Sequence, residues 1–127
     1  MSKILISPGR YVQGSGAIHE IGSQIKSWGS KALVLGGKNG LANVRKPLET
    51  SLAQAGMTAC FESFGGECSR TEIDRITAIV KESSSDIVIG VGGGKALDTA
   101  KAVAYCARLP VAVVPTIAAT DAPCSAL

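Results

Sequence analysis

One glycine-rich segment carries the clearest chemical pattern in the sequence. It runs from Gly90 to Lys95 and lies between an apolar, strand-like run and a segment with helical periodicity. Glycines let the backbone approach an anionic ligand closely, and the free N–H groups of a helix start point toward such a ligand. Lys95 adds a positive charge at this opening. Asp98, expected in the first helical turn, favours the helix dipole and can anchor a polar ligand group. The segment predicts a phosphate cradle.

Two named nucleotide motifs do not match this segment. A Walker A loop needs a glycine five residues before Gly94, where Ile89 stands, and a hydroxyl residue after the lysine, where Ala96 stands. The Rossmann fingerprint needs a glycine three residues after Gly92, where Lys95 stands. A tight turn whose glycines serve packing alone remains the alternative.

A second group of chemical interest follows the last strand-like run. Thr116 is expected at the carboxyl edge of the sheet, beside the glycine-rich turn. Asp121 is the only acid between Asp98 and the last residue, and a lone carboxylate there suits hydrogen bonds to the hydroxyls of a polyol. An ordinary turn or helix-capping role for Asp121 is the alternative. His19 is the only histidine, so these residues form no His-rich metal site, and they show no evident nucleophile–base pair.

The elements that must position these residues alternate along the chain. Short β-branched runs recur every 25 to 29 residues, which is about one βα unit. They predict strands at 32–35, 57–61, 86–91 and 111–114, with one or two more at Ile4–Ile6 and Tyr11–Gln13. Between these runs lie apolar residues at helical spacing, which predict helices. The pattern predicts an α/β fold, an open and mostly parallel Rossmann-like sheet with helices on both faces.

The predicted helices have recognisable stripes and boundaries. The first stripe ends at Gly29, and Ser69 to Glu72 has capping-box spacing before the third. Pro47 lies inside the second stripe, so we expect that helix to kink or to restart there. The apolar positions of the four stripes are Ile18, Ile21, Ile25 and Trp28; Leu41, Val44, Leu48 and Leu52; Ile73, Ile76 and Val80; and Leu97, Ala100, Ala104 and Ala107.

Composition narrows the class of protein. Of 127 residues, 46% are hydrophobic and 18% are charged, which is typical of a globular chain, and the net charge of +3 is scattered. Without a basic stripe or a long apolar run, we expect neither a nucleic-acid nor a membrane partner. The four cysteines form no CxxC pair, and Cys60 and Cys106 lie in apolar segments, where they are expected to be small buried residues. A cytoplasmic protein is the default expectation.

Three motifs carry a resemblance to a known family. Gly92-Gly93-Gly94-Lys95-x-x-Asp98-x-Ala100-Lys101 resembles the glycine-rich signature of the iron-containing alcohol dehydrogenase superfamily, and the lysine after the third glycine is similar to its glycerol dehydrogenase branch. The segment from Pro115 to Leu127 is similar to the substrate-loop motif of that branch and is the more specific signal. Ser7-Pro8-x-x-Tyr11-x-Gln13-Gly14 resembles the opening strand of the family.

The resemblance implies a set of functional assignments. Residues 1–127 would be an N-terminal NAD-binding domain of the dehydroquinate synthase-like type, and a helical metal-binding C-terminal domain lies outside them. The full enzyme would be a cytoplasmic homo-oligomer that oxidises glycerol to dihydroxyacetone with NAD, assisted by a zinc ion held by an Asp and two His residues of that second domain. No metal ligand is predicted in this chain. Asp121 would hold the substrate hydroxyls, and the predicted cofactor-binding residues are Gly92, Gly93, Gly94, Lys95, Asp98, Thr116, Ser125 and Leu127.

Departures from the family pattern leave alternatives open. Where relatives commonly carry an Asp that binds the adenosine ribose, this chain has Gly37 followed by Lys38, so NADP is not excluded. Ala119 stands where the family usually has Ser. The chain ends where an active site is expected, which suggests a fragment that binds nucleotide without turnover. A glycerol-phosphate dehydrogenase or a dehydroquinate synthase-like lyase are the other readings.

Overall fold

The computed structural model describes residues 10–11 and 21–115. Five strands alternate with four helices, and a short 3₁₀ turn at Lys26–Trp28 extends the first helix. The strands are β1 (Arg10–Tyr11), β2 (Lys31–Gly36), β3 (Thr58–Ser63), β4 (Ile87–Gly92) and β5 (Val111–Pro115). The helices are α1 (Ile21–Ile25), α2 (Lys38–Gln54), α3 (Arg70–Glu82) and α4 (Gly94–Ala107). The four predicted strands and the strand at Tyr11 are confirmed, while Ile4–Ile6 lies outside the described residues.

The strands form one parallel sheet in the order β1-β5-β4-β2-β3. Strands β2 and β4 are buried on both faces, because successive side chains point to opposite sides and helices cover each side. Edge strand β3 is only half-buried along most of its length. The predicted mostly parallel α/β sheet is therefore confirmed.

Two apolar cores lie on opposite faces of the sheet. Val34 of β2 contributes to the core beneath α1 and α2, whereas its neighbours Leu33 and Leu35 contribute to the core beneath α3 and α4. The first core is completed by helix residues Ile21, Ile25, Leu41, Val44, Leu48 and Leu52, and the second by Ile76, Val80, Ala100, Val103 and Ala104. The predicted stripes are the core-facing sides of these helices wherever the structure describes them.

Of the two alternatives expected at Pro47, the restart is wrong: α2 runs unbroken from Lys38 to Gln54 with Pro47 inside it, and its buried residues on both sides of Pro47 pack on the same face of the sheet. A kink there stays a prediction. A second expectation about packing was also wrong. Cys106 is exposed rather than buried, since it lies about 200° around the helix from the buried Ala104. Cys60 is partly buried against the second core.

The amino ends of β2 and β4 are joined by a carboxylate. Asp86 Oδ2 accepts hydrogen bonds from the backbone N–H of Ser30 at 2.8 Å and of Lys31 at 3.2 Å. These bonds lower the pKa of Asp86, the bond from Ser30 most of all, against the opposing effect of burial.

None of the helices in the described part of the chain is long and apolar enough to cross a membrane.

Candidate functional site

The candidate site lies where the connections of the sheet reverse direction. From β2 the chain moves outward to β3, and it then returns past β2 to β4 and continues to β5 on the other side. Neighbouring strands β2 and β4 therefore send their following loops in opposite directions. In open α/β sheets, ligands bind in the crevice that this reversal opens at the carboxyl ends of the strands. Gly37 follows β2 at this edge, and Gly93 follows β4.

The start of α4 has free backbone donors. Gly93 is the N-cap residue in extended conformation, and no side chain caps the helix. The Leu97 N–H donates to the Gly93 carbonyl at 3.0 Å, so the N–H groups of Gly94, Lys95 and Ala96 precede the first acceptor within the helix. A Cβ added at Gly93 or Gly94 would meet no atom of the described residues within 4 Å. The open space in front of uncapped donors suits an anion.

Two other glycines fix the geometry of this turn. Gly92 has φ +132°, a conformation that residues with a side chain rarely adopt, so it sets the direction in which the chain leaves β4. Gly90 allows α4 to pack closely on β4, because a Cβ there would lie 2.5 Å from the Cβ of Ala100. The predicted glycine-rich turn is thus a strand–helix turn that needs glycine at Gly92 for its backbone conformation and at Gly90 for close packing. Gly93 and Gly94 have neither requirement and border open space.

The two charged residues predicted for this segment have different positions. The Lys95 side chain is exposed at the start of α4, and its Nζ lies 3.3 Å from Glu67 Oε2. Asp98 is not in the first turn as expected, because α4 already begins at Gly94 and Asp98 is its fifth residue. The effect of the helix dipole is confined to the first turn, so the predicted dipole contribution of Asp98 is wrong. Its assignment to the cofactor site stays a prediction.

The remaining predicted site residues, Thr116, Asp121, Ser125 and Leu127, lie outside the described residues, and so does His19. The described chain ends at Pro115, which pairs with Gly92 between β5 and β4. The last described residue of β5 is therefore beside the glycine-rich turn, at the carboxyl edge.

Gly37 occupies the corresponding position after β2. Any residue can adopt its φ of −68° and ψ of 157°, and within residues 10–11 and 21–115 no atom lies within 4 Å of an added Cβ. Lys38 begins α2 and is exposed. The edge of the sheet after β2 therefore has open space at Gly37 and an exposed cation next to it, where a carboxylate would disfavour a 2′-phosphate group.

Sequence reasoning missed the loop that borders this turn. The β3–α3 loop, residues 64–69, contains Glu67, the partner of Lys95. Its two ends are fixed: the Phe64 N–H donates to the Gly36 carbonyl at 2.7 Å, and the Ser69 side chain caps α3. The sequence indicated only the helix cap at Ser69. Of the two hydrogen bonds of the expected capping box, only the one from the Glu72 N–H to Ser69 Oγ forms, because the Glu72 carboxylate accepts the Gly65 N–H instead of the Ser69 N–H.

An arginine on α3 braces the same loop. Arg75 binds Glu72 Oε2 at 2.7 Å and Glu62 Oε2 at 2.8 Å, and it donates to the Ser63 carbonyl at 3.0 Å. The Arg75 bond is the main cause that lowers the pKa of Glu72, and the Glu72 bond in turn raises the pKa of Arg75. The spacing of Glu72 and Arg75 on one helix face was available in the sequence, but the role of Glu62 depends on the packing of α3 beside β3.

Metal binding has no candidate in this part of the protein. Across residues 10–11 and 21–115, no three His, Cys, Asp or Glu side chains come together in a way that could hold a metal ion. The described residues therefore include an uncapped helix start with open space in front of it, but no such cluster.

Comparison with known proteins identifies a family whose sequence pattern this chain matches. The sequence pattern of the family described as iron-containing alcohol dehydrogenase matches residues 8–127. A glycerol dehydrogenase of Escherichia coli is 46% identical over 127 residues, which are all of this chain and 35% of that protein. A glycerol dehydrogenase of Thermotoga maritima is 48% identical over 126 residues, covering 96% of this chain and 33% of that protein.

The fold is shared with solved structures of the same kind. The crystal structure of a probable glycerol dehydrogenase from Sinorhizobium meliloti superimposes with a TM-score of 0.74 at 37% identity, covering 91% of this chain and 31% of that one. The chain thus spans about a third of the length of the relatives it matches.

Proposed function

The chain belongs to the iron-containing alcohol dehydrogenase family, and from this premise we propose that it is the coenzyme-binding part of a polyol dehydrogenase that oxidises glycerol to dihydroxyacetone with NAD. The observation that carries the proposal is the uncapped start of α4, with open space at Gly93 and Gly94, at the point where the sheet connections reverse. The names of the relatives supply the substrate class.

The described residues fit the diphosphate of a nicotinamide coenzyme. Backbone N–H groups at the start of α4 would hold it, and Lys95 would add positive charge at the mouth. When bound, the coenzyme would supply the acceptor for a hydride from the alcohol carbon. This part of the chain would bind and orient the coenzyme: the turn at Gly92 would aim the donors, and β5 ends at Pro115 beside Gly92, at the same edge.

The substrate and metal roles are assigned to residues beyond the described part. Asp121 would hold the polyol hydroxyls, with Thr116, Ser125 and Leu127 beside the coenzyme, as the resemblance implies. The proposed zinc would be held by an Asp and two His residues of a helical C-terminal domain, as the resemblance implies. A cytoplasmic homo-oligomer completes the proposal.

Calorimetric titration and a dehydrogenase assay test the function. The complete natural protein should bind NAD and reduce it in the presence of glycerol, and titration with NADP under the same conditions decides the coenzyme preference that Gly37 leaves open. The 127-residue chain alone should show no turnover. Absence of coenzyme binding by the complete protein would refute the proposal.

The role of Asp121 has its own test. Replacing Asp121 with Asn in the complete enzyme removes a charged acceptor for the hydroxyls, so activity on glycerol should fall by about tenfold or more. Affinity for NAD should change little, because the diphosphate binds elsewhere. Steady-state kinetics and coenzyme titration of the same preparation measure both, and wild-type turnover by the variant would exclude this role.

A further inference from the structure

The β3–α3 loop places a carboxylate against the one cation of the glycine-rich turn. Glu67 Oε2 and Lys95 Nζ lie 3.3 Å apart, although the residues are 28 positions apart in sequence. Their side chains are 76% and 66% exposed. An ion pair this exposed contributes little to folding, since water screens it and two long side chains lose freedom in forming it. Stability does not explain why the pair lies at the mouth of the anion site.

The position of Glu67 is set by contacts that do not involve Lys95. Both ends of the β3–α3 loop are bound to the sheet or to α3, so the loop cannot withdraw from the turn without breaking several hydrogen bonds. The bonds are Phe64 N–H to Gly36 O at 2.7 Å, Gly65 N–H to Glu72 Oε2 at 2.7 Å, and Glu72 N–H to Ser69 Oγ at 3.2 Å. The bracing of Glu62, Ser63 and Glu72 by Arg75 holds the same region. The carboxylate of Glu67 is therefore presented to the turn by a fixed loop.

We infer that Glu67 is a displaceable counter-ion of Lys95, which an anionic ligand must replace when it binds at the start of α4. The inference rests on the proposed function, in which that ligand is the diphosphate of a nicotinamide coenzyme. Before binding, the ammonium of Lys95 is paired with the carboxylate. On binding, a phosphate oxygen takes the place of the carboxylate, and Glu67, exposed as it is, turns to water. No covalent bond changes.

The consequence is a lower affinity for the coenzyme. Glu67 opposes the diphosphate in two ways, by competing for Lys95 and by its like charge. Exposed pairs of this kind change an equilibrium by about twofold to fivefold, so the effect is a tuning of affinity rather than a switch. Weaker binding favours release, which limits turnover in many enzymes. Glu67 is thus a positioning residue for Lys95.

The test compares Glu67→Gln with Glu82→Gln in the complete natural protein. Glu82 is the matched control, because it is exposed and lies at the opposite end of α3, about 20 Å along the helix axis from the loop. Calorimetric titration with NAD at low salt should give a dissociation constant about twofold to fivefold smaller for Glu67→Gln and unchanged for Glu82→Gln. At high salt the difference should disappear, since exposed charges are screened. In a Lys95→Met background, Glu67→Gln should gain less than it does beside Lys95.

A second measurement tests the pair without coenzyme. Reductive methylation with ¹³C-formaldehyde keeps the lysine charges, and the Lys95 signal is assigned by Lys95→Arg. That signal should shift in Glu67→Gln and not in Glu82→Gln. An unmoved Lys95 signal, or NAD affinity that is unchanged or weaker in Glu67→Gln while the wild type binds NAD, would overturn the role of Glu67 and leave the proposed function standing. Failure of the wild type itself to bind NAD or NADP would overturn both.

Discussion

Helices α3 and α4 both begin at the carboxyl edge of the sheet, but a side chain accepts a hydrogen bond from the first N–H groups of α3 and none does so at α4. At α3 the chain supplies its own oxygen: Ser69 Oγ accepts the Glu72 N–H, and the Glu72 carboxylate lies in the first turn. At α4 the N-cap is Gly93, no side chain caps the helix, and space is open in front of it. The two starts have the same unsatisfied donors in isolation.

The difference in capping indicates a structural role for the start of α3 and a ligand-binding role for the start of α4. At α3 the Ser69 hydroxyl caps the helix start and the Glu72 carboxylate accepts the Gly65 N–H, so this helix start anchors the β3–α3 loop. At α4 no side chain caps the donors, so the stability that a cap would add is absent there, and under the proposed function an external anion would accept these hydrogen bonds. Glu67 joins the two regions, since it belongs to the anchored loop and contacts Lys95 of the open one.

Converting the start of α4 into one like that of α3 should have the largest effect. Gly93→Asp places an N-cap carboxylate in an extended conformation with open space, so stability should rise by a few tenths of a kcal/mol. Affinity for NAD should fall by about tenfold to a hundredfold, because the carboxylate occupies the donors and repels the diphosphate. Calorimetry and thermal unfolding measure the two changes. Gly93→Asn is the control, with a cap of the same shape but no charge, and equal losses in both variants would point to volume rather than charge.

Loosening the anchor of α3 should have the next largest effect, on stability. Glu72→Gln weakens the bonds to Arg75 and to the Gly65 N–H and should cost about 1–2 kcal/mol of unfolding free energy at neutral pH. The folded-state pKa of Glu72 lies below its ordinary value of 4.5. The stabilisation is therefore complete above that value and is lost as pH falls through the lower folded-state pKa.

Urea unfolding of Glu72→Gln and wild type across this pH range checks the sign. The gap between the two proteins should narrow toward acid, while Glu82→Gln on the same helix should follow the wild type throughout. A gap that widened on acidification would contradict the role of the carboxylate.

Removing the cap of α3 should have the smallest effect. Ser69→Ala leaves the Glu72 N–H without its side-chain acceptor and should cost about 1 kcal/mol. Ser69→Asp should restore most of that loss, because it provides another capping oxygen. Chemical denaturation of the three proteins measures it, and a Ser69→Ala variant as stable as the wild type would show that water replaces the hydroxyl at no cost.

Much of the fold could be predicted because it depends on local patterns. Strands and helices bury side chains at periods of two and 3.6 residues, so runs such as Ile87–Val91 and stripes such as Leu41 to Leu52 are visible in the chain. The same reasoning was wrong in expecting a possible restart at Pro47, where α2 continues because it packs on the sheet on both sides of the proline. It was also wrong at Cys106, which lies in an apolar segment but on the exposed face of its helix.

The candidate site was predictable only in part. Gly92 to Lys95 could be identified because glycines and a lysine at a strand–helix junction are a local pattern with a chemical meaning. Glu67 could not, since nothing near it in sequence indicates a partner 28 residues away. The roles of Thr116, Asp121, Ser125 and Leu127 still rest on the family resemblance.

The alternation of strands and helices, the position of the glycine-rich turn and the family resemblance could all be read from the amino-acid sequence. The order of the strands could not: the fold places β2 beside β4, so that Gly37 and Gly93 follow neighbouring strands at one edge, and it brings Glu67 of the β3–α3 loop to Lys95. The physical reason is that hydrophobic periodicity is written along the chain, whereas strand order and ion pairing depend on how distant segments pack.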